Sequence, residues 1–437
     1  MKAILHNRQW TIEFVLGFGL WLFGTVFFSH FWILLIPFIM MYISFRRNGS
    51  DGRKVLSNVS KVHVFFVVSI VFFSLANDVV NGHSYCHWWE FVQPYHIWPL
   101  VIVMGHLWGS ESMSKGWIWG VVFEILVGVG QKLLGVSSID LQPQIENSTL
   151  WYNCRVDGLS ASSSVFGLKI FLSFLVLTVT PFSQKWKIFF GWCLLVGVWI
   201  TFNRSVVIAI FVFGCVLMMR DLFKYRLKFR EWDNSLPILF IFSFLILVFS
   251  LSVFQGTNQL NRGGLKEDFN YGNASAKDSL NLTFDDFPMT CDQMQAYPLV
   301  QQNELDTSAL SFQWMKSMTD GINTSGRNLI WLNYFQFIEG HFHFGNGSQK
   351  LWMRSVNANK MKISVMHAHN SWLQLLATNG FWISIMYVAY YCWMWRRGHI
   401  AHLSAIMVYS FFQFGWGWGF SVLDFLLVYF LITPEKK

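Results

Sequence analysis

Apolar residues fall along this chain in long, nearly unbroken runs, with none of the alternation that marks half-buried strands or surface helices. A helix crosses a bilayer in about 20 such residues. Runs of this kind predict spans near 11–29, 31–45, 62–80, 95–108, 116–134, 159–181, 188–203, 205–219, 236–254, 370–391, 401–415 and 417–432. Two of them, 95–108 and 417–432, are short enough to tilt or re-enter. The expected fold is an all-α polytopic membrane protein of about 12 transmembrane helices, with one large, partly helical loop outside the membrane.

That loop is the long polar stretch 255–366, between the ninth and tenth runs. It is too long for a connector, and its helical patterning argues for order. Leu305 to Met318 reads as one short helix. Ser325 followed by Leu329, Leu332, Phe335 and Ile338 reads as a capped second helix, stopped by Gly340. Gly345-Asn346-Gly347 is a turn signal. Three parts are expected: 1–254 with nine helices, 255–369 as the loop domain, and 370–437 with three more helices.

Charge orients the spans. Lys2, Arg8, Arg46, Arg47, Arg53, Lys54, Lys61, Lys115, Lys185 and Lys187 fall in alternate segments, followed by the run Arg220 to Arg230, then Arg396, Arg397, Lys436 and Lys437. The intervening short loops hold only Arg155, with Lys132 at an edge. Positive residues gather on the cytoplasmic side, so both termini are expected inside and 255–366 outside. Topology thus accounts for the net charge of +8, and nucleic acid is not an expected partner. Charged residues make up 13% of the chain, about half a soluble protein's share, and mean hydropathy is +0.39. The six cysteines show no metal-type spacing. Cys86, Cys154 and Cys291 fall outside the membrane, and whether two of them pair is left open.

The strongest chemical signal is His367-Ala368-His369-Asn370-Ser371, where the loop re-enters the membrane. A histidine there titrates near neutral pH and suits general-base work. Asn370 is placed to orient a substrate or the ring. The alternative is that His367 and His369 simply cap the tenth span, with His369 on the face of Leu373. Arg204, in Asn203-Arg204-Ser205, stands on the outside between two spans with almost no loop. It reads as a phosphate clamp or as a snorkelling anchor. Arg327, in the first turn of a predicted loop helix, either suits an anion beside free backbone N–H groups or is a plain solvated arginine, the reading its local string alone favours, and Arg155 is a weaker third cation. Glu124, Lys169 and Asp424 lie inside runs, where ionisable groups are costly. They mark an interhelical pair network, a translocation path, or groups that lie nearer the interface than the run boundaries allow. No Asp-x-Asp, HExxH or Walker A string occurs, so neither a metal nor another cofactor is expected. What remains is a metal-free outer-face site with a base and phosphate-holding cations, as transfer from a lipid pyrophosphate requires.

These strings resemble the O-antigen ligase and O-antigen polymerase superfamily of bacterial membrane glycosyltransferases. His369-Asn370, nine residues from Ser371 to Asn379 and then Gly380 match the family's His motif, although Ile383 departs from it three positions later. Asn203-Arg204-Ser205 partly matches a second motif. Ser325-Gly326-Arg327, Trp331 and Gly345-Asn346-Gly347 match a third. The resemblance implies a multi-pass protein of the bacterial inner membrane with its site on the periplasmic face. It implies inverting transfer from an undecaprenyl-diphosphate-linked glycan donor to lipid A-core, with His369 as base and Arg204 and Arg327 on the diphosphate. A polymerase would use the same donor. From a different class, a lipid-linked glycan flippase or transporter would use Glu124, Lys169 and Asp424 as its path.

Overall fold

A computed structural model of the protein describes residues 61–80, 111–134, 136, 156–160, 163–201, 203–225, 301–304, 354–358, 361–365, 369–395 and 400–412, with parts of 14–21 and 331–345. The expected spans 31–45, 95–108, 236–254 and 417–432 lie outside these residues. So do the helix at Leu305 to Met318 and the residues Asp424, Cys86, Cys154 and Cys291.

Seven complete helices stand among the described residues: α1 (Lys61–Val80), α2 (Glu111–Leu134), α3 (Ser163–Val179), α4 (Gln184–Thr201), α5 (Arg204–Tyr225), α6 (Ser371–Trp395) and α7 (Ile400–Phe412). Each coincides with an expected span, and 14–21 contributes helical residues of another. α5 runs on to Tyr225, past the end of its apolar run. Between α5 and α6 the chain forms a small sheet of β1 (Gln301–Glu304), β2 (Arg354–Ala358) and β3 (Met361–Val365). β1 pairs parallel to β2 with Gln301 opposite Arg354, and β2 pairs antiparallel to β3 with Arg354 opposite Val365. Only helical patterning was legible in this loop, because four- and five-residue strands are too short to show a period.

α3 is the axis of the bundle. Its residues Phe166 to Leu177 are buried on every side, as expected of a helix apolar all round. α2, α4 and α5 pack on it, α5 runs along α7, and α6 joins α7 to α1. α2 and α4 approach through glycines: Gly128 faces Ile200, and Gly197 faces Ile125. Small residues allow such close approach where lipid offers no hydrophobic drive.

Only Ser114–Leu134 is, among the described residues, long and apolar enough by itself to cross a membrane; Ser163–Val179, Ser205–Leu217 and Ile400–Phe412 are shorter apolar helices. The surface is equally telling. On α2, Trp119, Phe123, Leu126 and Leu133 form an exposed apolar stripe opposite the buried Trp117, Ile118, Val121 and Ile125. On α6, Trp382, Ile385 and Val388 do the same. A helix as apolar outside as inside has lipid for its outer neighbour, and the chain reads as a membrane protein.

Side-chain rungs fix the relative directions of the helices. Trp117 donates to Ser173 at 2.9 Å, and Glu124 pairs with Lys169, so α2 and α3 are antiparallel. Ser205 at the start of α5 donates to the Phe412 carbonyl at the end of α7. Phe66 meets Tyr390, while Asn77 donates to the Thr378 carbonyl at 3.1 Å, which orders α1 against α6. One end of the bundle thus carries Lys61, Lys115, Lys185 and Lys187. The other carries the starts of α3, α5 and α6. Trp119 and Trp186 pack edgewise on and stack against Phe190 near the basic end, with Lys115 over Phe182. The helix directions agree with the alternation expected from charge.

The loop is seated on α6 at a break in that helix. Gly380 takes φ 74°, ψ −176°, and Gly345 in the turn 341–345 takes φ 64°. The Phe381 amide donates to the Phe342 carbonyl at 2.8 Å. A Cβ on Gly380 would come within 2.4 Å of the His343 carbonyl, and one on Gly345 within 2.4 Å of the Thr378 carbonyl. The two glycines stand back to back because nothing larger fits. Gly380→Ala should lower stability by about 1–3 kcal/mol or unseat the turn. Thermal unfolding in detergent checks this, and an unchanged melting temperature would mean the turn is not seated there.

Candidate functional site

Three elements converge at the loop end of the bundle. α6 begins at Ser371, and its first turns are covered by residues of 331–338: Tyr334 and Ile338 are buried against Leu373 and Ala377. Trp331 meets Phe411 near the end of α7, 5.8 Å between rings. Phe412 in turn accepts from Ser205, next to Arg204. The starts of α5 and α6 are therefore joined through α7 and the loop helix. The face of that helix differs from expectation, since Phe335 points outward and Tyr334 takes its place in the core.

His369 does not begin α6. Its backbone is left-handed, with φ 50°, the one positive value at a non-glycine among the described residues. It therefore does not share a helical face with Leu373, and it is not the cap. The cap is Asn370, whose Oδ1 accepts from the amides of Trp372 and Leu373, both at 3.0 Å. Those are among the donors that a helix start leaves unpaired. His369 is partly exposed, with Nδ1 turned inward. Left-handed conformation at a non-glycine residue costs about 1–3 kcal/mol and gathers at functional sites.

Arg204 is the first residue of α5, and the preceding Asn203 caps that helix, its Oδ1 accepting from Ser205 at 3.2 Å. The backbone thus places Arg204 at a helix N-terminus on the loop end. Arg327, His367 and Arg155 lie outside the described residues. Arg155 immediately precedes Val156, which is buried and whose amide donates to the Ile200 carbonyl at 3.4 Å.

Below this end lies a polar cluster that the sequence only half revealed. Glu124 and Lys169 are both fully buried and pair at 3.2 Å. Trp21 donates to Glu124 Oε2 at 2.7 Å. Glu124 Oε1 accepts from the Leu159 amide at 3.2 Å and from the Ser160 hydroxyl. One turn-pair further along α2, Gln131 accepts from the Gly158 amide at 3.0 Å and donates to its carbonyl at 2.7 Å. Of the readings open for Glu124 and Lys169, this is the interhelical network, and neither side chain reaches an interface. A sealed ion pair is a poor translocation path. Trp21, Gln131 and Ser160 were missed, although Trp117, Glu124 and Gln131 sit seven residues apart, nearly two turns each, and so share one face.

The O-antigen ligase family model matches residues 189–388, from within α4 to within α6. No curated protein matches the chain. The matched stretch contains Arg204, Arg327 and His369 but neither Arg155 nor Glu124. If Asn370 serves α6 as a cap, Asn370→Ala should cost about 0.5–2 kcal/mol while Asn370→Asp, which keeps the acceptor, should cost little. Unfolding of the purified variants checks this, and equal losses for both would point to a role for the amide itself.

Proposed function

Residues 189–388 belonging to the O-antigen ligase/polymerase superfamily, we propose that this chain is an O-antigen ligase, moving a glycan from undecaprenyl diphosphate to a sugar hydroxyl of lipid A-core at the periplasmic face of the bacterial inner membrane. The observation that carries the reading is His369, held left-handed beside a separately capped helix. Asn370 does the capping, so the helix start itself does not require the left-handed backbone at His369.

In the proposed step His369 accepts the proton of the acceptor hydroxyl. That oxygen attacks the anomeric carbon from the face opposite the diphosphate, the bond from carbon to phosphate oxygen breaks, and undecaprenyl diphosphate leaves with the electron pair. The product is inverted. Arg204, at the N-terminus of α5, and Arg327 balance the charge growing on the leaving group. Each charge-assisted contact is worth about 1.5–3 kcal/mol, and a positioned base contributes roughly a hundred- to ten-thousand-fold. His367 and Asn370 flank the base, and Arg155 is a third cation within reach of the same end. The chemistry calls for no metal, so transfer should persist in excess EDTA.

His369→Gly is the sharpest test, because glycine relieves the backbone while removing the ring. The variant should fold at least as stably as wild type and lose at least a hundredfold in transfer, measured on purified protein. In cells it should leave full-length polymer on undecaprenyl diphosphate and bare lipid A-core. Core capped with a single repeat would identify a polymerase instead, and a normal glycan ladder would remove His369 from catalysis.

For the arginines, Arg→Lys keeps the charge but loses the bidentate fork. Arg204→Lys and Arg327→Lys should both impair transfer, and the alanine variants more so. Full activity of Arg327→Ala at equal protein level would exclude that residue.

A further inference from the structure

The turn 341–345 belongs by sequence to the large polar loop, yet its side chains are aromatic and face outward. Gly345 lies back to back with Gly380, so the backbone of the turn rests directly on α6. His341, Phe342, His343 and Phe344 are all exposed, Phe342 by 41% and Phe344 by 59%. Phe342 stacks on Phe381 at 4.9 Å between rings, and His343 on Trp382 at 6.3 Å. Trp382 heads the exposed stripe that runs down α6 through Ile385, Val388 and Cys392. Ring upon ring, the turn prolongs the face of α6 that has lipid for its neighbour. No carboxylate or amide side chain occurs in 341–345 to fix the hydroxyls of a sugar.

Helix geometry gives the height of the turn in the bilayer. Phe381 stands fourteen residues before Trp395 in the stretch of α6 below the break, about 21 Å along the axis. Trp395 is at the basic end, where Phe66 of α1 meets Trp393 and where Arg396 and Arg397 follow in the sequence. A hydrocarbon core is about 30 Å thick, so the turn sits about 9 Å below its outer edge. Elements that lie in a leaflet without crossing it are buried by about 5–10 Å. Non-helical backbone at that depth has to be paired by the protein. Here the Gly345 amide donates to the His341 carbonyl at 2.7 Å, the His341 amide to the Ile338 carbonyl at 2.9 Å, and the Phe381 amide to the Phe342 carbonyl.

We propose that 341–345 is a re-entrant lipid anchor: the large loop returns this one turn to the outer leaflet, with Phe342 and Phe344 among the acyl chains. The partner is the bilayer itself, so the inference does not depend on which reaction the protein performs. Through Ile338 the anchor is tied to the residues that cover the start of α6, and the loop is held to the leaflet as well as to the bundle.

The unsubstituted full-length chain can be tested in nanodiscs of phosphatidylethanolamine and phosphatidylglycerol, doped with a phospholipid that carries a diazirine in mid acyl chain. After irradiation and digestion, mass spectrometry should find the added lipid mass on 341–344 as well as on Trp382 to Val388, and none on the strand Arg354–Ala358. Lipid on 382–388 with none on 341–344 would overturn the proposal, and so would equal labelling of 354–358. A second arm captures from the protein side, with p-benzoylphenylalanine in place of Phe344, which keeps an aromatic ring there, and in place of Ile385 as the reference. Both should gain the mass of one phospholipid. Capture at 344 of an added undecaprenyl-diphosphate-linked glycan through its sugar, or of another segment of the chain, would make the turn a sugar platform or a packing surface instead. No adduct at 344 while 385 captures lipid would equally sink the anchor.

Discussion

A bilayer gives no hydrogen bonds, so any backbone that is not helical must be paired by the protein around it. The fold of the described bundle turns on how that demand is met at segment 156–160. Glu124 accepts from Trp21, Leu159, Ser160 and Lys169, filling the roughly four acceptor sites a carboxylate offers. Gln131 serves Gly158 as a neighbouring strand would. Four parts of the chain, namely 14–21, α2, 156–160 and α3, are locked by this one cluster, and the apolar contacts of α3 are arranged around it. Losing one charge would strand the other in a dry interior, which typically costs 3–5 kcal/mol.

The loop end is built on the opposite device. There the backbone of the turn 341–345 lies directly on the backbone of α6, with Gly345 against Gly380 and no side chains between. Phe342 stacks on Phe381 and His343 on Trp382 at the rim of this contact. Asn77 of α1 takes up the Thr378 carbonyl that the break exposes. The carbonyls and amides released by the kink are thus shared between the loop and a third helix.

The sequence disclosed some of this and hid the rest for physical reasons. Long apolar runs have one meaning in a bilayer, and each of the seven described helices lies where such a run predicts it. Helix directions followed from Lys115, Lys185 and Lys187, since charge asymmetry is cheap to read. The starts of α5 and α6 were nearly placed, but the division of labour between His369 and Asn370 was not, because a left-handed residue leaves no trace in composition. Gln131 was hidden for another reason: one amide in an apolar run is unremarkable until its spacing from Glu124 and Trp117 is set against a helix. The strand Gln301–Glu304 pairs with Arg354–Ala358 across some fifty residues of chain, beyond the range of any local pattern, while the hairpin from Arg354–Ala358 to Met361–Val365 is local but too short to announce itself.

The break at Gly380 divides α6 into unequal levers. Its first nine residues, Ser371 to Asn379, carry Leu373 and Ala377 clasped by Tyr334 and Ile338 and set Leu375 into the bundle core, which the remainder joins by Ile383, Tyr387 and Tyr390. The first turns of α6 therefore belong to loop and bundle at once, with Tyr334 and Ile338 on one side and Leu375 on the other.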